Sequence, residues 1–308
     1  LLSSTHGYLG LFRAPGQRIF VECTDGWQLL DVPSACEMAP GHCLWLYKHA
    51  GGMIEVQSTA PVDRHELELR VRVLAGEPCR FLVSNAIAVD GDDGADSGPL
   101  HWAREGSGVA VRFAPGSDLG RRFPEGSFRI EPEHGSELAK VGGDELLFLD
   151  GRPHGQPFLA LVTAEARSFG LRITGPLGNA EPIEAESPPR TADQFWKDMT
   201  GLRALHAPVG SALAGDVARV QEILPWFAHD ALIHYLAPRG LEQYTGGSWG
   251  ARDVTQGPVE LLLALGRWTE LRDLLLRVFR AQNPDGDWPQ WFMFFERDRN
   301  LRAPDSHG

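Results

Sequence analysis

The densest run of groups able to do chemistry is Gly246–Pro258, GGSWGARDVTQGP. Its glycines let backbone approach a ligand closely. Trp249 offers a flat apolar face of the kind a sugar ring stacks on. Arg252, Asp253 and Gln256 are hydrogen-bonding groups that suit the clamping of hydroxyls. A structural reading competes. Asp253 with Gln256 three residues on would form a capping box, and Arg252 with Asp253 a plain ion pair. Pro258 argues against the box, because it fits best as the first helical residue, with Gly257 before it. A second run, Asn283–Phe292, reads NPDGDWPQWF. Asp285-Gly286 is a turn signal. Trp288, Trp291, Phe292, Phe294 and Phe295 form an aromatic cluster that suits a core. Its loop setting and the interleaved Gln290 also suit a pocket wall. A third polar run, Asp305-Ser306-His307-Gly308, ends the sequence.

The elements that must position these runs read as helices. Thr191 can cap a helix bearing Phe195, Trp196, Met199 and Leu202. Val217–Leu224 continues in the same style up to Pro225, and Trp226–Leu236, Pro258–Leu265 and Glu270–Ala281 follow. Gly266 suits a helix stop and Thr269 a new N-cap. Three helices with apolar residues on more than one side cannot close a core alone, so the chain is expected to be a fragment, cut at both ends.

Upstream, residues 1–185 read as strands. In His65–Leu74, Leu67, Leu69, Val71 and Val73 alternate with Glu68, Arg70 and Arg72, the period of a half-buried strand. Similar runs are Arg18–Cys23, Cys43–Tyr47, Met53–Ser58, Arg80–Val83, Val109–Phe113, Ser127–Glu131, Glu145–Leu149, Phe158–Thr163 and Phe169–Ile173. Asp25-Gly26, Asp90-Gly91, Asp93-Gly94 and Asp150-Gly151 punctuate them. This spacing predicts an antiparallel β-sandwich. Residues 186–222 open with Pro188 and Pro189 and read as a Pro-rich and helical linker.

Composition excludes several function classes. The 308 residues carry 29 Lys and Arg against 41 Asp and Glu, a net charge of −12, and 43% are hydrophobic. An acidic balance disfavours a nucleic-acid groove. No apolar run approaches the roughly 18 residues of a membrane span. Cys23, Cys36, Cys43 and Cys79 have no CxxC spacing, so neither zinc nor a thioredoxin motif is supported, and free thiols in a reducing, cytoplasmic setting are expected. The scattered histidines have no metal spacing, His229 and His234 included. No phosphate-cradling GxxxxGK[ST] loop is present.

The run Leu224–Leu265, LPWFAHDALIHYLAPRGLEQYTGGSWGARDVTQGPVELLLAL, together with Asn283–Gly308, NPDGDWPQWFMFFERDRNLRAPDSHG, resembles glycoside hydrolase family 94. These are the inverting phosphorylases. The resemblance is nearest to members acting on β-1,2-glucans: the oligoglucan phosphorylases and the phosphorylase-like region of cyclic glucan synthases. It implies a multidomain fold, β then α. A β-sandwich (1–185) would be followed by the linker (186–222) and the truncated start of an (α/α)6 barrel (223–308). It implies that Arg252, Asp253 and Gln256 stand at the barrel mouth, with Asp253 holding hydroxyls of the sugar that becomes the sugar phosphate. Cellobiose-type members carry an Arg six residues before that Asp, where this sequence has Gly247. Asp285, Gly286 and Gln290 match a further family element. Trp249, Trp288 and His307 join the candidate substrate contacts. The general acid is expected immediately past Gly308, with Asp305 the weaker candidate within the sequence, and the phosphate-binding residues later still.

The resemblance also implies no cofactor, inorganic phosphate as co-substrate, an oligosaccharide or glucan as partner, and a homodimer, since family members are often dimers. Two alternatives stay open on the residues alone: an (α/α)6 hydrolase with a second carboxylate, and a non-catalytic glucan-binding or synthase-associated region.

Overall fold

A computed structural model describes residues 16–39, 41–49, 51–61, 66–87, 100–116, 120–121, 123–175, 205–236 and 249–292. They fall into two compact units, one holding residues 16–175 and one holding 205–292. The expected helix at 191–202, the turns at Asp90-Gly91 and Asp93-Gly94, and the run Asp305–Gly308 lie outside the described residues.

The first unit is built from antiparallel strands. In chain order they are β1 (Gln17–Cys23), β2 (Gly26–Leu29), β3 (Ala35–Ala39), β4 (His42–His49), β5 (Gly52–Thr59), β6 (Glu66–Ala75) and β7 (Phe81–Ala86). There follow β8 (His101–Glu105), β9 (Gly108–Arg112), β10 (Ser127–Pro132), β11 (Leu138–Gly142), β12 (Phe158–Thr163) and β13 (Ser168–Thr174). They form a five-stranded sheet, β11-β12-β7-β1-β2, and an eight-stranded sheet, β3-β4-β5-β6-β13-β10-β9-β8. The sheets meet face to face. Phe81 of the narrow sheet packs on Phe169 of the wide one with ring centroids 5.2 Å apart. Around that pair a single core gathers Val21, Val83, Leu159 and Leu161 with Ile54, Val71, Ile130 and Leu171.

Alternation explains the wide sheet. Leu69, Val71 and Val73 of β6 are buried while Arg70 and Arg72 face out. The outward charges pair across strands, Arg70 with Glu133 at 3.0 Å and Arg172 with Glu131 at 3.0 Å. Such exposed pairs contribute little each; their value is in keeping this face polar. The narrow sheet differs. Every residue of β7 is buried, as are all of β12 after Phe158. Both faces are covered there, and the sequence accordingly loses its alternation. The polar groups trapped inside are satisfied: Gln17 donates to the Asn85 side-chain oxygen at 2.9 Å, and Asn85 donates to the Leu159 carbonyl at 3.2 Å.

At one turn only glycine fits. Gly52 has φ +149°, and a Cβ there would stand 1.9 Å from the Ala75 carbonyl oxygen.

The expected strand at Glu145–Leu149 is absent. Asp144–Leu146 form a single 3-10 turn instead. Gly142 and Gly143 break the extended run, and the buried Asp144 carboxylate accepts the His154 and Gln156 N–H groups at 2.8 and 2.9 Å. A local side-chain acceptor thus outcompetes the strand ladder.

The second unit contains α1 (Ala214–Leu236), β14 (Trp249–Gly250), α2 (Ala251–Thr255), α3 (Gly257–Ala264), α4 (Trp268–Arg280) and β15 (Trp291–Phe292). Helix α1 runs through Pro225 rather than stopping there. Proline forfeits one hydrogen bond but does not forbid continuation where the flanking turns hold. Helix α4 buries Leu271, Leu274 and Val278, a spacing of three and four that makes one apolar face. These pack with Ala251, Val254 and Leu262 in a second, smaller core. Gly266, with φ +65°, ends α3 as expected, and the Arg267 N–H closes back on the Leu262 carbonyl at 2.8 Å. Thr269 is not the cap of α4; Arg267 occupies that position, and its guanidinium pairs with Glu270 at 2.5 Å.

Candidate functional site

The two chemistry-bearing runs are brought together by backbone. Strands β14 and β15 pair antiparallel, Trp249 opposite Phe292 and Gly250 opposite Trp291. The Ala251 N–H then donates to the Gln290 carbonyl at 2.9 Å. Segments some forty residues apart in sequence thereby lie side by side. Glycine at 250 serves as the N-cap position of α2 in extended conformation, so the chain turns directly from the ladder into the helix.

Arg252 and Asp253 are the second and third residues of this one-turn helix. The side chains of Trp249 and Asp253 lie outside the described residues. Arg252 is exposed, and its guanidinium makes no hydrogen bond or ion pair among the described residues. Gln256 links α2 to α3; its N–H reaches the Arg252 carbonyl at 3.1 Å, and its side chain is exposed. No side-chain cap bond forms at either helix start, and Pro258 sits in the first turn of α3 with Gln256 as N-cap. The capping box is therefore not what holds Gln256.

The second run is shaped by its own turn. The Asn283 side-chain amide donates to the Asp287 carboxylate at 2.9 Å, and the Gly286 N–H donates to the Asn283 carbonyl at 3.0 Å. Asp285 is exposed at the tip, and Gly286 adopts φ +97°. Trp288 is the anchor. Its indole N–H donates to the Val278 carbonyl at 3.0 Å, and its ring meets Phe279 edge-on at 5.8 Å. Gln290 follows, exposed. Asp305 and His307 lie outside the described residues.

Three side chains with spare hydrogen-bonding capacity, Arg252, Gln256 and Gln290, thus stand on adjoining segments fixed by a two-residue ladder and an indole anchor. Such a set can clamp hydroxyls. The anchoring role of Trp288 was not legible in advance, because a tryptophan amid other aromatics reads equally as core or pocket wall. Among the described residues no three or more His, Cys, Asp or Glu gather to hold a metal, and no helix is long and apolar enough to cross a membrane.

The wide antiparallel sandwich is followed along the chain by a helical unit. Residues 1–175 match the glycoside phosphorylase supersandwich domain, and the chain belongs to that family. A 1,2-beta-oligoglucan phosphorylase from Listeria innocua serovar 6a is 29% identical over 97% of this chain. The match spans 27% of that relative's length. Among solved structures, a bacterial glucoamylase complexed with acarbose superposes with a TM-score of 0.50 at 10% identity, covering 90% of this chain and 46% of its own. At that identity the likeness is one of fold.

Proposed function

We propose that this chain is a segment of an inverting glycoside phosphorylase. Its substrates are β-glucosides, in the first place β-1,2-linked gluco-oligosaccharides, and its product is α-glucose 1-phosphate. The observation that carries the reading is the alignment of nearly the whole chain with the oligoglucan phosphorylase. The pairing of β14 with β15 supports it, since it joins the two runs that the family resemblance marks as sugar-contacting. On this reading residues 1–185 are the sandwich, 186–222 the linker and 223–308 the first part of an (α/α)6 barrel.

The residues take distinct roles. Trp249 offers its face to a sugar ring. Arg252, Asp253, Gln256 and Gln290 hold hydroxyls, and Trp288 holds Gln290 in place. His307 is a further candidate substrate contact. The general acid is a carboxyl group outside these contacts, with Asp305 the weaker candidate within the sequence. That acid delivers its proton to the leaving glycosidic oxygen as the bond to the anomeric carbon breaks. A phosphate oxygen forms the new bond from the opposite face, and β configuration becomes α. Inverting hydrolases need a second carboxylate to activate water; phosphate is already charged and needs none. No cofactor takes part, and the enzyme works in the cytoplasm as a homodimer.

The test uses the full-length protein that carries this sequence. Incubation with β-1,2-gluco-oligosaccharides should release glucose 1-phosphate only when phosphate is present. Asp253→Ala should lower kcat/KM by about 100-fold or more, because hydroxyl clamps act in the transition state. Free glucose without phosphate would replace the phosphorylase by a hydrolase, and an unchanged Asp253→Ala rate would return Asp253 to a structural role.

A further inference from the structure

The two sheets of the sandwich are unequal, and the inequality leaves a cleft. The five-stranded sheet ends at β2, whereas the eight-stranded sheet continues through β4 to β3. Register fixes what β4 and β5 present there. Trp45 pairs with Val56, Tyr47 with Ile54 and Cys43 with Ser58. Ile54 and Val56 are in the core, so Trp45, Tyr47 and Ser58 point to the same inner side. The result is an open cleft of about 480 Å³ that these three share with Gln17, Leu30 and Asp31. Volumes of this order hold small ligands.

Of the polar groups lining this cleft, the Gln17 amide is committed to Asn85, but the others are open. The Tyr47 hydroxyl, the Trp45 indole N–H and the Ser58 hydroxyl have no hydrogen-bond partner among the described residues. Asp31 spends one oxygen on the Val32 N–H at 2.6 Å, leaving the other open. Burial first, and the charge of Asp31 second, hold the Tyr47 phenol protonated above its ordinary range. It therefore stays a donor at any physiological pH. Two half-buried aromatic rings are thus ringed by unpaired donors and acceptors. The charges on the lining, Arg18 and Asp31, balance. A phosphorylated ligand would meet a single cation with a carboxylate beside it. A neutral ring with apolar C–H faces and a rim of hydroxyls fits both features.

We propose that this cleft is a second, non-catalytic carbohydrate-binding site that takes a neutral gluco-oligosaccharide. The choice of glucose rests on the phosphorylase reading; the cleft itself does not. The site would hold a long substrate at a point independent of the bond being broken.

The experiment is calorimetric titration of the 308-residue chain with a β-1,2-linked glucotetraose, repeated with β-1,4- and α-1,4-linked tetraoses. It is run in the Asp253→Ala background, which weakens the helical-unit clamp, so that the response to Tyr47→Phe and Asp31→Asn reports the cleft. A weak site, with Kd on the order of 1 mM, is expected. Tyr47→Phe keeps the ring and should weaken it about fivefold, the worth of one neutral hydrogen bond; Asp31→Asn should weaken it similarly. Circular dichroism confirms that each variant is folded. Absence of titratable binding overturns the proposal, as does binding that neither Tyr47→Phe nor Asp31→Asn alters. Cleft binding in a protein whose full-length form yields no sugar phosphate supports the cleft and overturns the phosphorylase reading alone.

Discussion

Replacing Trp288 with Phe separates an anchor from a sugar contact. In the structure the indole N–H donates to the Val278 carbonyl at 3.0 Å. Loss of a neutral hydrogen bond of this kind costs about 1 kcal/mol net. The cost is not larger, because the Val278 carbonyl keeps the Ala281 N–H at 3.0 Å and is not orphaned. The edge-on contact with Phe279, centroids 5.8 Å apart, is worth roughly 0.5–1.5 kcal/mol, and a phenyl ring retains part of it. The sum is about 1–2 kcal/mol of local stability. By the Boltzmann factor 1 kcal/mol is about fivefold in an opening equilibrium. Hydrogen–deuterium exchange in peptides spanning α4 and residues 288–292 should therefore accelerate about fivefold or more. Peptides from the sandwich should not change. Unaltered exchange with weakened saccharide binding would instead make Trp288 a direct sugar contact.

Three further outcomes follow from particular groups. Asp144→Ala strands the His154 and Gln156 N–H groups now bonded at 2.8 and 2.9 Å. It should cost about 3 kcal/mol and expose residues 144–157 to limited proteolysis; resistance equal to the unmodified chain would contradict this. The Val21–Phe81 register, continued by the Glu22 N–H on the Arg80 carbonyl at 3.0 Å, sets Cys23 opposite Cys79, whose own backbone pairs with Ala166. Such a non-hydrogen-bonded pair has Cα atoms about 4.5 Å apart, within disulfide reach. Diamide should therefore join Cys23 to Cys79. Cys36 and Cys43 are diagonal across β3 and β4, about 7–8 Å apart, and should stay unpaired; peptide mapping that finds another bridge would refute the register argument. Finally, residues 1–308 alone should release no glucose 1-phosphate from any gluco-oligosaccharide, and measurable turnover would place the general acid within them.

What was legible in the sequence tracks burial on one face. β6 announced itself because Leu69, Val71 and Val73 face the core and Arg70 and Arg72 face water. β1, β5, β10 and β13 followed the same signal, whereas β12 was legible as a continuous apolar run, buried on both faces. β2, β3, β8 and β11 did not, because edge or near-edge strands such as β3, with four of five residues exposed, need no apolar alternation. Glu145–Leu149 misled in the opposite way. Its apolar run looks like a strand, yet Leu149 is fully exposed and Asp144 organises the segment as a turn. In the helical unit, Arg252, Gln256 and Gln290 could be singled out by residue type alone. Their adjacency was not, since a two-residue ladder between β14 and β15 is too short to leave a pattern. The cleft at Trp45 and Tyr47 was hidden for a related reason: it comes from the difference in width of two sheets, a property of topology rather than of any local run.

Phosphorolysis with inversion fixes the anomeric configuration of the product. Its most direct test follows the anomeric signal by proton NMR as the full-length protein acts on a β-1,2-linked gluco-oligosaccharide in phosphate buffer. α-Glucose 1-phosphate should be the first phosphorylated product, and nothing should form when phosphate is withheld. Appearance of β-glucose 1-phosphate, or of free glucose at the same rate without phosphate, would contradict it.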